Sequence, residues 1–141
     1  MSGWLLDTNI LSELMRPAPS PAVMSWLAAQ PASSLFISAV TEAELRYGVL
    51  LLPEGRRRAD LMAALEAMLA EDFAARILPF DSAAAVAFAF IAASRRQAGK
   101  PISQFDAQIA AIAQSRGAVL ATRNVADFAE CGVEIINPWT A

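Results

Sequence analysis

Gly3-Trp4-Leu5-Leu6-Asp7-Thr8-Asn9-Ile10-Leu11-Ser12-Glu13-Leu14 is the stretch whose reading decides the fold. Trp4-Leu5-Leu6 is an apolar run short enough for a buried central strand, and Asp7-Thr8-Asn9 supplies a polar turn into a helix beginning near Ile10 or Leu11. Asp7 then stands at the carboxyl end of a strand, where open α/β sheets place their ligands. Asp, Thr and Asn also bond readily to nearby backbone N–H groups, so Asp7 can equally be a helix cap. The rest of the chain has to decide between the two.

The strand-then-helix pattern recurs. Ser20-Pro21 has the form of an N-cap followed by proline at the first helical position, opening a short helix with Val23, Met24, Trp26 and Leu27 on its apolar face. Leu35-Phe36-Ile37 reads as a second buried strand, and Thr41-Glu42-Ala43-Glu44 matches a capping box, with Thr41 as N-cap and Glu44 at the third helical position. That helix runs through Leu45, Val49 and Leu52 to Pro53, and Glu54-Gly55-Arg56-Arg57-Arg58 reads as the solvated start of the next, or alternatively as a phosphate-steering run. Ile77-Leu78-Pro79-Phe80 is a third strand or extended segment, and Asp81-Ser82 opens a helix with Val86, Phe90 and Ile91. Ser103 caps a further helix with Asp106 three positions on and Ile109, Ile112 and Ala113 on its buried face. Ala118-Val119-Leu120-Ala121 and Val133-Glu134-Ile135-Ile136 are the last strands. Strands alternating with helices make an α/β fold with a mostly parallel central sheet and helices on both faces the economical solution, as one domain over 1–141.

Composition removes several chemistries. The formal charge of -3 comes from 14 acids against 11 bases, and histidine is absent. Imidazole bases, Ser-His-Asp and Cys-His nucleophile systems and His-containing zinc sites are therefore excluded. Cys131, the single cysteine, permits neither an intrachain disulfide nor a multi-cysteine metal cluster, is assigned to packing and points to a reducing, cytoplasmic setting. Ala83 to Ala93 is apolar but too short for an ordinary membrane span, so no membrane partner is expected. Neither a G-x-x-x-x-G-K-S/T phosphate loop nor a G-x-G-x-x-G dinucleotide turn occurs.

What remains is oxygen chemistry. Asp7-Thr8-Asn9, the helix-start acids Glu44 and Asp106, and Thr122-Arg123-Asn124 with Asp127 can converge at one edge of a parallel sheet. Carboxylates brought so close repel one another unless protons or cations intervene, and hard divalent ions such as Mg²⁺ or Mn²⁺ prefer such donors. A metal-dependent phosphodiester hydrolase is the coherent enzyme reading.

Taken together, the pattern resembles a PIN-domain ribonuclease, specifically the VapC or FitB-like toxins of type II toxin-antitoxin systems. The resemblance rests on Leu6-Asp7-Thr8-Asn9-Ile10-Leu11-Ser12-Glu13-Leu14, on Ser38-Ala39-Val40-Thr41-Glu42-Ala43-Glu44-Leu45-Arg46-Tyr47-Gly48, on Ile77-Leu78-Pro79-Phe80-Asp81, on the Asp106 helix, on Ala121-Thr122-Arg123-Asn124 and on Ile136-Asn137-Pro138-Trp139. It implies a PIN-like three-layer α/β/α domain and an endoribonuclease toxin using Mg²⁺, with Mn²⁺ as an alternative. It assigns Asp7, Glu44 and Asp106 to the metal site. Many relatives carry Asp where this chain has Asn124, so either Asn124 or Asp127 fills the fourth catalytic position. Thr8 and Asn9 would support the carboxylates, Thr122 would position Asn124, and Arg46 and Arg123 would meet RNA phosphate or neutralise a neighbouring acid. A homodimer, a cognate antitoxin, a larger toxin-antitoxin complex and operator DNA bound through the antitoxin are also implied. The alternatives are a noncatalytic PIN-like binding module and a metal-dependent DNA phosphodiesterase.

Overall fold

The structure is a computed structural model that describes residues 3–141. Five strands, β1 (Trp4–Leu6), β2 (Leu35–Ser38), β3 (Ile77–Leu78), β4 (Val119–Ala121) and β5 (Ile135–Ile136), form one sheet in the order β3-β2-β1-β4-β5. Every pairing is parallel, with Leu5 opposite Phe36 on one side and Leu120 on the other. Parallel neighbours require crossovers, and the helices provide them: α1 (Thr8–Leu14), α2 (Pro21–Ala28), α3 (Ala39–Leu50), α4 (Arg56–Glu71), α5 (Ser82–Gln97) and α6 (Gln104–Arg116). Because successive residues of a strand face opposite sides, Leu5 and Leu120 enter the core shared with α5 and α6, whereas Leu6, Ile37 and Ala121 enter the core under α1 to α4. The result is the expected three-layer α/β/α arrangement.

Local chemistry sets several boundaries differently from the sequence reading. Helix α1 begins at Thr8, not at Ile10 or Leu11, because Asp7 Oδ1 accepts the Thr8 N–H at 2.8 Å and so acts as N-cap. Helix α3 begins at Ala39 with Ser38 as N-cap, its hydroxyl accepting the Thr41 N–H at 3.0 Å. The capping box on Thr41 is therefore corrected: Thr41 already lies within the helix, fully buried, and Glu44 stands in the second turn, free of any capping duty. Leu52 lies beyond the end of α3, Pro79 and Phe80 lie outside β3, and Val133 and Glu134 precede β5. On α5 only one of the three apolar residues named from the sequence faces the core. Val86 and Phe90 are exposed, while Ala84 and Ile91 are buried against α6, where small side chains permit close approach. Ser20 and Pro21, Asp81 and Ser103 begin their helices as expected, and the left-handed Gly117 ends α6.

Candidate active site

Strand order reverses direction between β1 and β4: the chain builds outward from β1 through β2 to β3, then crosses back to place β4 on β1's other side. In open α/β sheets the crevice beyond the strand carboxyl ends at such a switch point is where ligands bind. Asp7 follows β1 there and Thr122 follows β4. The Asp7 N–H continues the ladder by donating to the Ala121 carbonyl at 2.9 Å, and the Thr122 hydroxyl donates to Asp7 Oδ2 at 2.8 Å. Asp7 is thus fixed between the two central strands, only 4 % exposed.

Around it the polar side chains form a connected set. Thr8 Oγ1 donates to Glu44 Oε1 at 2.7 Å and lies 3.0 Å from the buried Thr41 hydroxyl. Asn9 Nδ2 donates to Thr122 Oγ1 at 3.3 Å and, more weakly, to Asp7 Oδ2 at 3.5 Å, while Asn9 Oδ1 accepts the Arg123 N–H at 3.4 Å. The Asn124 N–H donates to Thr122 Oγ1 at 3.0 Å, so Thr122 does hold the backbone at Asn124. Asp106 sits in the first turn of α6, whose N-cap Ser103 accepts the Asp106 N–H at 3.2 Å. Asp127 rides on the short 3-10 turn Val125–Phe128 and shares with Ser103, Asp106 and Arg95 a small polar cavity of about 290 Å³. Asn124 does not line that cavity.

Charge follows from this placement. Burial, opposed by the Thr122 and Thr8 hydrogen bonds and reinforced by repulsion from Asp106 and Glu44, pushes the Asp7 carboxyl up to about 6. Burial also raises Asp106, with the Asp127 carboxylate adding to it and Ser103 and Arg95 opposing it. A carboxylate held near neutrality by burial and like charges is the environment in which a cation gains most by binding. Among the described residues, however, no three His, Cys, Asp or Glu side chains are grouped tightly enough to hold a metal ion between them. Glu44 is drawn toward Thr8, and Asp106 and Asp127 face their own cavity. The donor set still suits Mg²⁺, a hard ion that takes one or two carboxylates and keeps several waters.

Of the two flanking arginines, Arg46 pairs with Glu42, at 2.9 Å, and with Glu66. Arg123 lies with its guanidinium 5.0 Å from the centre of the Trp139 ring. Two buried charged residues escaped the sequence reading. Glu13 accepts the Ser20 N–H at 2.8 Å and pairs with Arg16 at 3.1 Å; the Ser20 hydrogen bond chiefly holds its carboxyl below the usual range. Arg95 lies inside α5. Its spacing was the available signal, because residues 84, 88, 91 and 95 recur at the helical period on the face that meets the core.

Residues 4–132 match the PIN domain, and the chain belongs to that family. Within it, the chain is closely related to the VapC and FitB-type toxins of type II toxin-antitoxin systems. It is 42 % identical over 135 residues to the VapC ribonuclease Y4jK of Sinorhizobium fredii, covering 96 % of each chain. It is 41 % identical over 135 residues to toxin FitB of Neisseria gonorrhoeae, covering 96 % of this chain and 97 % of FitB. A solved structure of FitAB bound to an IR36 DNA fragment superposes with a TM-score of 0.90 at 39 % identity, covering 96 % of this chain and 95 % of that one.

Proposed function

We propose that this chain is a Mg²⁺-dependent endoribonuclease toxin, acting through Asp7, Glu44, Asp106 and Asp127. The observation that carries the reading is the Thr122-to-Asp7 hydrogen bond at the sheet's switch point, which holds a buried carboxylate between two strands at the ligand-binding edge. Asp7, Asp106 and Glu44 would hold the ion, with Mn²⁺ able to replace it. When bound, the ion lowers the pKa of a coordinated water and offsets charge on the phosphodiester. Thr8 keeps Glu44 turned toward Asp7's helix, Asn9 and Thr122 fix the Asp7 carboxylate, and Asp127 supplies the fourth acid beside Asp106. Arg123 remains available for substrate phosphate.

Several finer readings rest on the relatives. The VapC relative's name supports RNA as substrate, and the FitAB–DNA structure supports a cognate antitoxin through which operator DNA is bound. A homodimer within a larger toxin-antitoxin complex, one domain over the chain's length and a cytoplasmic setting complete the proposal. No described helix is long and apolar enough to cross a membrane. One observation favours a noncatalytic binding role instead: the acids do not form a preassembled cage. Purified, antitoxin-free protein given equal amounts of single-stranded RNA and DNA of the same base sequence separates the readings. Mg²⁺-dependent cutting of RNA alone is expected. Preferential cutting of DNA supports the phosphodiesterase reading, and intact nucleic acid with no divalent-ion binding supports the noncatalytic one.

A further inference from the structure

Arg95 is 7 % exposed, yet among the described residues it makes no ion pair. Its partners are neutral and belong to two separate loops. Nε donates to the Lys100 carbonyl at 2.7 Å, and Nη1 donates to the carbonyls of Asp127, at 3.1 Å, and Ala129, at 2.8 Å, with Cys131 Sγ at 3.4 Å. The first loop leads from α5 into α6 and therefore to Asp106. The second carries Asp127. Nη2 has no hydrogen-bond partner among the described residues, and Arg95 lines the same cavity as Ser103, Asp106 and Asp127.

A buried guanidinium without a carboxylate partner is costly to desolvate, and a well-packed apolar side chain usually serves a core better. Two features of this site offset that cost. The acids across the cavity repel one another, and a fixed positive charge beside them reduces that repulsion. The loop carrying Asp127 also contains Glu130, whose φ of 60° lies in the left-handed region that non-glycine residues avoid. Arg95 grips the chain on both sides of it, at Ala129 and Cys131, and an exposed Lys100–Glu130 pair at 3.1 Å joins the same loops from outside. We propose that Arg95 is a positioning residue that clamps the two loops so that Asp106 and Asp127 face one cavity. Lysine cannot replace it, since the clamp uses two edges of a planar fork at once.

The consequence for ion binding rests on the nuclease reading; the clamp does not. Arg95→Gln, Arg95→Lys and, as a control, the exposed neighbour Arg96→Ala are compared with the wild type for thermal unfolding, amide hydrogen exchange over 127–131 and Mn²⁺ affinity by paramagnetic resonance. In Arg95→Gln, exchange over 127–131 rises about tenfold or more, and Mn²⁺ affinity falls roughly ten- to a hundredfold, the range for groups that orient metal ligands. Arg95→Lys, the variant to use if glutamine prevents folding, shows the same loosening and only partial recovery of affinity, while Arg96→Ala matches the wild type. Unchanged protection of 127–131 in a folded Arg95 variant overturns the proposal, as does unchanged Mn²⁺ affinity. A wild-type protein that binds no Mn²⁺ and cuts no RNA counts against the proposed function instead, and the exchange measurement alone then decides the clamp.

Discussion

Asp7 is both a helix cap and the most buried acid of the site, and the two roles pull its chemistry in opposite directions. Its hydrogen bonds favour the carboxylate, while burial and the neighbouring acids disfavour it more strongly, leaving the group near pH 6. A carboxyl whose folded pKa lies above its ordinary value of 3.8 binds more protons in the folded state between those two pH values. Stability that is complete below about pH 4 is therefore lost as pH rises through about 6, by at most about 3 kcal/mol. Asn keeps the Thr8 cap through its single oxygen and carries no charge, but its Nδ2 cannot accept from the Thr122 hydroxyl, so without divalent ions Asp7→Asn gains on the wild type between pH 4 and pH 7.5 by at most about 3 kcal/mol, less roughly 1 kcal/mol for the lost hydrogen bond. The advantage disappears below pH 4, as denaturant unfolding across that range will show. Mg²⁺ should reverse the order: it raises the wild-type melting temperature at pH 7.5, does so less at pH 5 and leaves Asp7→Asn nearly unmoved, which differential scanning fluorimetry can follow. Asp7 and Asp106 were legible in the sequence because each sits at a boundary between elements, whereas Glu44, in the second turn of α3, was legible through the motif that contains it. For Arg95 and Glu13 the sequence showed at most the helical spacing of one and the nearby Arg16 of the other, because their backbone partners are brought close only by folding: loops 98–100 and 127–131 for Arg95, the Ser20 N–H for Glu13. The pairing of Arg46 with Glu66, twenty residues away on α4, is likewise set by folding and by no local pattern.

The helix starts illustrate how an element's boundary selects the chemistry of a side chain. With Ser38 as the cap, Thr41 is released to pack fully buried against Thr8, and Glu44 is released to accept from it. Ser38→Ala leaves the buried Thr41 N–H without its acceptor, so it should destabilise the fold by about 1–2 kcal/mol, whereas Thr41→Ser retains the hydroxyl and costs less. Equilibrium urea unfolding of the pair tests this; unchanged stability in Ser38→Ala would restore the capping-box reading. At the loop after Asp127, Gly132 has a φ of +70°, and an added Cβ would lie 2.9 Å from Gln114 Nε2. Gly132→Ala is expected to cost about 1–2 kcal/mol by the same measurement, mostly through the backbone since the amide end of Gln114 can move. Periodicity gave the number and order of strands and helices but misplaced the ends of the shortest. Two-residue strands such as β3 and β5 are defined by pairing with Ser38 and Ala121, which no local pattern encodes. On α5 the buried face is equally hard to read from composition: where alanines outnumber larger residues, the larger Val86 and Phe90 do not face the core while Ala84 does.

Over the whole molecule, topology does what no single motif does. Crossing from β3 back to β4 brings residues more than a hundred positions apart, Asp7 and Thr122, into one hydrogen bond, and α6 brings Asp106 to the same edge. An acidic chain of formal charge -3 gains little from long-range attraction to a polyanion, so the proposed nuclease function requires RNA affinity to be concentrated near this edge. On that proposal divalent ions serve substrate binding as well as chemistry, and chelation is expected to weaken RNA retention in a filter assay as well as stop cutting. The most direct test of the account is cleavage of a mixed cellular RNA pool by purified protein with Mg²⁺, with chelator, and by an Asp106→Asn variant shown to be folded. The account predicts discrete fragments with Mg²⁺ that vanish with chelator and fall at least a hundredfold in the variant, an effect of about 3 kcal/mol on the barrier. Fragments that persist equally in chelator or in folded Asp106→Asn would contradict it.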